Sequence, residues 1–493
     1  MKTLANRQTL LCAALVLLFG AVYVFVHHKA SYTFPVPWPD ESGFLWQSIA
    51  VQENNSLLIP QMNPERHLLR IPPGYMIVTG IVFKVFGFSF SLARTLSLLC
   101  ILASFLLLAM IVGRYDTPVV SLILCGLFLL SRDFVIAGNV ARMEALTLLL
   151  LCGGFLLFQL EKDYKALALM ALTPLIHPGG LFFLSAAGLY FLLGARFRKV
   201  RWCRSDLGLL AGVALLWLAY GLYIGWHWEA FKHDMAWNFG KGHQKTPWQT
   251  LVALFKPRNF RILLLVALSG AYGLKERLPS TLLLMLAFPG WLLNKVRSDM
   301  WYSVFETLFF LLLAVFLIHV AVDLVGGASG RRARWRRVST IVVTVLVLLL
   351  GYYKDQRIED PRTYPGGMTW WDMRLPAQVP YLSEADVKQV RSFLEELADS
   401  KLVLNVQVFP RADTLFFYQA GDPRIRFWQP LFYRPKVDVY IVHASRYLPK
   451  KIQATLKQEL KDTGIDPAQP SRILFRRDDS EVWYYRVVGE SAP

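Results

Sequence analysis

Between residues 8 and 353 the chain alternates long apolar runs with short loops that carry Arg or Lys, and this pattern restricts the fold more than any other feature. Where water is excluded, a spanning segment must satisfy its own backbone polar groups, which a helix does unaided. Runs of this length and continuity read as membrane helices. They fall at 8–26, 91–112, 117–131, 143–160, 166–177, 180–195, 206–226, 260–274, 280–294, 301–324 and 339–353, about eleven spans when each is taken as one crossing. With 55% hydrophobic residues in 493, the chain does not resemble a soluble protein of that length, which would divide into domains joined by polar linkers. After residue 353 the apolar runs stop. The sequence therefore predicts an α-helical polytopic membrane domain over 1–353 and a soluble, mixed α/β domain over 354–493.

Charge supplies the orientation. The formal net charge of +18 raises the question of nucleic acid, but the densest basic clusters, Arg196–Arg204 and Arg331–Arg337, lie between apolar runs. There an excess of Lys and Arg marks the cytoplasmic side, so topology accounts for the charge and no nucleic-acid partner is expected. With Lys2 and Arg7 inside, the basic loops at 113–116, 161–165, 196–205, 275–279 and 325–338 are all cytoplasmic. Loops 27–90 and 227–259 and the C-terminal region are then outside. The first run is long for a signal peptide and is read as an uncleaved helix. Residues 72–87 open with Pro72-Pro73 and contain Lys84; they are expected as a helix in the outer interface, because a crossing here would invert every later loop. Cys12, Cys100, Cys125, Cys152 and Cys203 have no CxxC spacing and predict neither a disulfide nor a cysteine metal site. The expected location is a bacterial inner membrane with the C-terminal domain facing the periplasm.

In the C-terminal region, Ser383 caps a predicted helix over 384–399. Residues 401–408 and 437–443 read as strands, 447–462 as a second amphipathic helix, and 472–477 with 481–488 as a hairpin across Asp478-Asp479-Ser480.

Chemistry concentrates at the predicted outer face. Asp40-Glu41 follows the first span closely, and a carboxylate there can take a proton from an incoming nucleophile or stabilise positive charge at a reacting carbon. Downstream come Arg66, Arg70-Ile71-Pro72-Pro73-Gly74-Tyr75, the stretch FKVFGFSFSLARTLSLL, Ala141-Arg142-Met143-Glu144-Ala145, and His177-Pro178 at the end of a span. Each residue also has a plainer reading. Arg94 and Arg142 can snorkel to headgroups, Glu144 can favour a helix N-terminus, and His177 can cap a helix end. Arg297, Asp299 and Tyr302 precede another span, where Trp301 and Tyr302 also fit as interfacial anchors. In loop 227–259, Glu229 and His233 share a helical face, an arrangement compatible with a divalent metal, and the tryptophans there suit an interface. No phosphate-binding or dinucleotide-binding glycine motif is present.

The order, spacing and membrane side of these motifs over residues 1–200 resemble the GT-C superfamily of integral membrane glycosyltransferases, in particular the branch that contains protein O-mannosyltransferases and the aminoarabinose transferase of lipid A. The resemblance implies an inverting transfer of sugar from a polyprenyl-phosphate donor to an extracytoplasmic acceptor: lipid A, another glycolipid, a polysaccharide or a protein. It implies Asp40 as general base with Glu41 and Glu144 as acidic companions. Arg70, Arg142, His177 and Arg297 are its implied contacts to the donor phosphate. The chain departs from the family at two places: Ile71 rather than a cation directly precedes Pro72-Pro73, and His177 stands where relatives often carry Lys. Some relatives use a divalent metal; no residue here is assigned to one. A polyprenyl-sugar flippase and a non-catalytic membrane scaffold are the competing readings. Against the flippase, the span centres are almost free of charge, whereas transporters bury ionisable groups at mid-membrane.

Overall fold

The computed structural model describes residues 12–25, 39–115, 118–129, 131–197, 204–240, 249, 252, 254–297, 302–324, 382, 384–399, 403–409, 414–418, 422, 424–429, 436–445, 457, 458, 460, 461, 470–477 and 480–486. The last predicted span, 339–353, and most of the predicted helix 447–462 lie outside them.

The chain up to residue 324 is helical throughout its described elements. After α1 (Cys12–Phe25) come α2 (Pro39–Asn54), α3 (Gly74–Phe86), α4 (Phe90–Val112), α5 (Pro118–Leu129), α6 (Arg132–Asn139), α7 (Met143–Gln159), α8 (Asp163–Ile176) and α9 (Gly180–Phe197). They are followed by α10 (Arg204–Trp226), α11 (Trp228–Gly240), α12 (Pro257–Lys275), α13 (Pro279–Arg297) and α14 (Ser303–Leu324). Among the described residues three helices are long and apolar enough to cross a membrane, within α4, α10 and α14, and a fourth crossing is possible if the bent pair α6–α7 counts as one. Helices α1, α5, α8, α9, α12 and α13 match predicted runs in position but are shorter than a full crossing or less apolar, whereas α2, α6 and α11 lie where no span was predicted.

The helix α3 is 13 residues long, about 20 Å at 1.5 Å per residue, and cannot cross a hydrocarbon core of about 30 Å. It lies along α2. A side chain at Gly80 would meet the Val51 side chain at 2.6 Å and the Ser48 carbonyl at 2.8 Å, so only a residue without Cβ lets the two helices approach this closely. Helix α2 is hemmed in on nearly every side although its sequence is polar for a buried helix. Helix α10 is the reverse: apolar along its length, with Leu215 65% and Trp226 87% exposed.

The C-terminal region forms a five-stranded sheet in the order β2-β1-β3-β5-β4, from β1 (Leu404–Phe409), β2 (Ile425–Trp428), β3 (Val439–Ser445), β4 (Arg472–Arg477) and β5 (Ser480–Arg486). The strand β1 pairs in parallel with β2 and β3. Burial of Val406, Val408, Ile441 and Val442 explains why these strands read as short apolar runs. The hairpin β4–β5 is found as predicted, but Ser480, read as part of the turn, opens β5 and pairs with Arg477. Helix α15 (Glu384–Ala398) covers one face, with Phe393 edge-on to Tyr484 at 4.8 Å between ring centres. Arg391 in α15 donates to the carbonyls of Phe416, Phe417 and Tyr418 at 2.7, 3.3 and 2.9 Å. It thereby closes the end of a four-residue helix, α16 (Thr414–Phe417). Neither α16 nor β2 was anticipated from the sequence.

The sheet does not stand apart from the helices. A single apolar cluster contains Leu45, Trp46, Ile49 and Ala50 of α2 together with Val406, Val408, Phe416 and Ile441. Trp46 meets Tyr418 edge-on at 5.0 Å, and Phe90 of α4 packs on Phe416 at 5.1 Å.

Candidate functional site

The break between α6 and α7 organises the site. These helices meet at 115°, and Val140 and Arg142 between them are extended. An extended break at a helix start leaves backbone N–H groups without intrahelical partners, and the Ala141 N–H donates to Glu41 Oε1 at 2.6 Å. The break is held by Asp133 of α6, which accepts hydrogen bonds from Ser303 and Thr307 of α14.

Opposite this break stands the first turn of α2, where the positive end of the helix dipole favours acidic side chains. Asp40 and Glu41 occupy that turn with different surroundings. Glu41 is fully buried and takes a two-point ion pair from Arg94, Nε at 3.0 Å and Nη2 at 2.9 Å. Arg94 is itself 1% exposed and lies over the Phe90 ring, so it does not snorkel to headgroups. Charges this far from water are held only when paired and hydrogen-bonded, and this pair is both. The Asp40 side chain, by contrast, is 50% exposed.

Arg142 joins the two sides. Its Nη1 reaches Asp40 Oδ2 at 3.2 Å, while Nε and Nη2 bind the two oxygens of Glu144 at 3.2 and 3.0 Å. Burial works against its charge, but Glu144 and Asp40 outweigh that, and its pKa is held above the ordinary arginine value. His177 ends α8 as its cap, fully buried, with Nδ1 accepting the Gly179 N–H at 2.9 Å. Its Nε2 faces Glu144 Oε1 at 3.8 Å. The ring packs against Tyr302 at 5.2 Å and Phe305 at 5.6 Å. Tyr302 is thus buried against the site rather than anchoring at an interface.

Arg70 lies in the loop before α3. Burial lowers its pKa, and the fields of Asp40 and Asp234 oppose that. The same loop is fastened to α11 by Arg66, which pairs with buried Asp234 at 2.9 Å, and by the Leu69 N–H, which donates to that carboxylate at 2.6 Å. Two further contacts link the loop to α10 and the residue after it: His67 accepts from or donates to Tyr223 at 2.8 Å and stacks on His227 at 4.0 Å.

Of the residues singled out from sequence, Asp40, Glu41, Arg142, Glu144 and His177 converge, and the field of Asp40 reaches Arg70. The side chain of Arg297, at the end of α13, lies outside the described residues, as do 298–301. Among the described residues no group of three or more His, Cys, Asp or Glu could hold a metal ion. Glu229 instead pairs with Lys232, and His233 contacts Arg66. Two partners escaped the sequence reading. The Glu41–Arg94 pair spans 53 positions and Arg66–Asp234 spans 168, so no local spacing announces either.

No protein-family model matches the chain, and neither does any curated protein sequence. Solved structures do. The structure of ArnT from Cupriavidus metallidurans bound to undecaprenyl phosphate matches 97% of this chain and 99% of its own, with a TM-score of 0.52 at 15% identity. The same protein in the apo state matches 96% and 98%, with a TM-score of 0.53 at 13% identity. At these identities the likeness shows the fold alone: the chain folds as these ArnT structures do over nearly its whole length. A weaker match, TM-score 0.44 at 10% identity over 87% of this chain and 67% of the other, is to the oligosaccharyltransferase of Archaeoglobus fulgidus.

Proposed function

We propose that this protein is a GT-C glycosyltransferase of a bacterial inner membrane. In this reading residues 1–353 form the transferase domain, and residues 354–493 face the periplasm above it. The donor is a polyprenyl-phosphate sugar, and the acceptor is a lipid, glycan or protein on the outer side. The ligand of the matched structure, undecaprenyl phosphate, supports the donor class.

One observation carries the assignment of roles. Three carboxylates gather at the site, but the oxygens of Glu41 and Glu144 are occupied by Arg94 and Arg142, whereas Asp40 is half exposed and held by one contact. Asp40 is therefore the group that takes the acceptor's proton. The acceptor oxygen or nitrogen attacks the anomeric carbon, its proton passes to Asp40, and the bond from that carbon to the phosphate oxygen breaks. Prenyl phosphate leaves with the electron pair; attack opposite the leaving group inverts the centre. Arg142, shared between Asp40 and Glu144, orients the base, and His177 Nε2 faces the Glu144 oxygen that Arg142 Nη2 also holds. Arg70, between the fields of two carboxylates, is placed to meet the leaving phosphate, with Arg297 at the end of α13 as a second cation. Such cations stabilise charge where it develops.

The test is transfer by the full chain in lipid nanodiscs, supplied with radiolabelled polyprenyl-phosphate sugars and a membrane extract. The expected result is labelled acceptor that falls about 10²- to 10⁴-fold in Asp40→Asn, the range for loss of a general base. Undiminished transfer by that variant overturns the assignment. Movement of donor across a bilayer without transfer supports the flippase instead.

A further inference from the structure

The C-terminal region touches α2 at both ends, through the residue after β2 and the residue after α16. At the first turn, Gln429, the residue after β2, donates through Nε2 to Ser42 Oγ at 2.6 Å, and its backbone N–H donates to the Gln61 carbonyl at 2.9 Å. At the last turn, Tyr418 donates to Glu53, and its ring meets Trp46 midway along the helix. The Tyr418 pKa is raised, by burial first and by Glu53 second, so it stays a donor there. Gln429 and Ser42 are both buried, and between the two polar contacts α2 contributes Leu45, Ile49 and Ala50 to the apolar cluster that includes the strands.

Consecutive helical residues are rotated by about 100°. Glu41 is fastened to α4 through Arg94, and Ser42 is fastened to the sheet through Gln429. Two neighbouring directions around the first turn are thereby fixed by two different parts of the chain, and Asp40 projects toward a third, where Arg142 meets it.

We propose that Gln429 is a positioning residue for the transfer reaction: through Ser42 it sets the rotation of α2, and with it the direction of Asp40. The C-terminal domain thus belongs to the catalytic apparatus without contacting the reacting atoms. This rests on the reading of Asp40 as the base.

The experiment combines turnover with hydrogen exchange on the full chain, using Gln429→Ala, Ser42→Ala and the double variant. Removing one hydrogen bond of ordinary strength is expected to lower kcat about two- to tenfold, with the KM for the lipid donor unchanged. The double variant should be no slower than the slower single, because both remove one contact. Exchange should quicken at residues 40–46 and stay unchanged across Phe90–Val112. Unaltered turnover in both singles, multiplied losses in the double, or exchange rising equally in α4 would each overturn the proposal; the last would report general loosening. If the unaltered chain transfers no sugar, the glycosyltransferase reading fails, yet exchange at 40–46 still decides whether Gln429 holds α2.

Discussion

Helices α2 and α10 invert the usual relation between apolarity and burial. The sequence of α10 is almost wholly apolar, yet Leu215, Leu218, Leu222 and Trp226 are exposed on it. The sequence of α2 carries Asp40, Glu41, Ser42, Gln47, Ser48, Gln52 and Glu53, yet most of it is enclosed. The difference lies in what surrounds each. Lipid is as apolar as a leucine side chain, so a lipid-facing helix gains nothing by hiding its leucines. Helix α2 is enclosed because protein covers it from two sides, α3 and α4 beneath and the C-terminal sheet above. Polar groups enclosed in this way must find partners: Ser48 bonds within α2 to the Phe44 carbonyl, but the partners of Asp40, Glu41, Ser42 and Glu53 come from segments distant in sequence. The apolar helix serves as a wall and the polar one as the mount for the site.

The sharpest way to break this contrast is at the Glu41–Arg94 pair. Glu41→Ala leaves Arg94 buried without its carboxylate and the Ala141 N–H without its acceptor, and should cost about 3–5 kcal/mol of stability. The measurement is the midpoint of heat-induced loss of monodisperse protein. The paired replacement Glu41→Leu with Arg94→Leu should recover most of that loss, since apolar residues of similar volume often replace a buried ion pair at little cost. If Glu41→Ala melts as the unaltered chain does, the site is wetter than its burial indicates.

A smaller effect is expected on α10. Leu215→Lys places a charge on a face exposed to lipid, and should raise the cost of membrane insertion by about 2.5–3.5 kcal/mol if that residue lies near mid-membrane. Glycosylation-tagged insertion reads this directly. Insertion unaffected by the lysine would mean that α10 does not span.

The smallest effect concerns the loop that joins the two regions. His67 stacks on His227 and meets Tyr223 of α10, and its pKa is lowered, first by burial and then by the charge of His227. A histidine so lowered binds fewer protons folded than unfolded. Its contribution to stability is therefore complete above its ordinary pKa of about 6.5 and is lost as pH falls toward the folded value. Melting midpoints should decline through that window, and His67→Gln should flatten the decline.

Much of this was legible in the sequence, for specific reasons. The apolar runs predict the positions of α4, α7, α10 and α14 because hydrophobic continuity is a local property. The Pro72-Pro73 start and Lys84 anticipate a short α3, and the alternation and turn residues near 478–480 anticipate the β4–β5 hairpin. Asp40, Arg142, Glu144 and His177 stood out by residue type and by position at segment ends, and the fold gathers them. Strand β2 was missed because its IRFW carries no alternation long enough to register, and α16 because four residues form no period. The different standing of adjacent Asp40 and Glu41 was also hidden: both are acids at one helix start, and only the position of Arg94 separates a buried ion pair from a half-exposed carboxylate.

The amino-acid sequence alone determined that this chain is a set of membrane helices with an α/β region after them, since length, apolarity and charge act locally and add along the chain. It also marked the acidic and basic residues that converge. The tertiary structure alone decided which carboxylate keeps an exposed oxygen, and that the C-terminal sheet packs on the helix carrying it. Those outcomes depend on contacts between residues dozens to hundreds of positions apart, such as Gln429 with Ser42 and Arg94 with Glu41, and no local property of the chain encodes them.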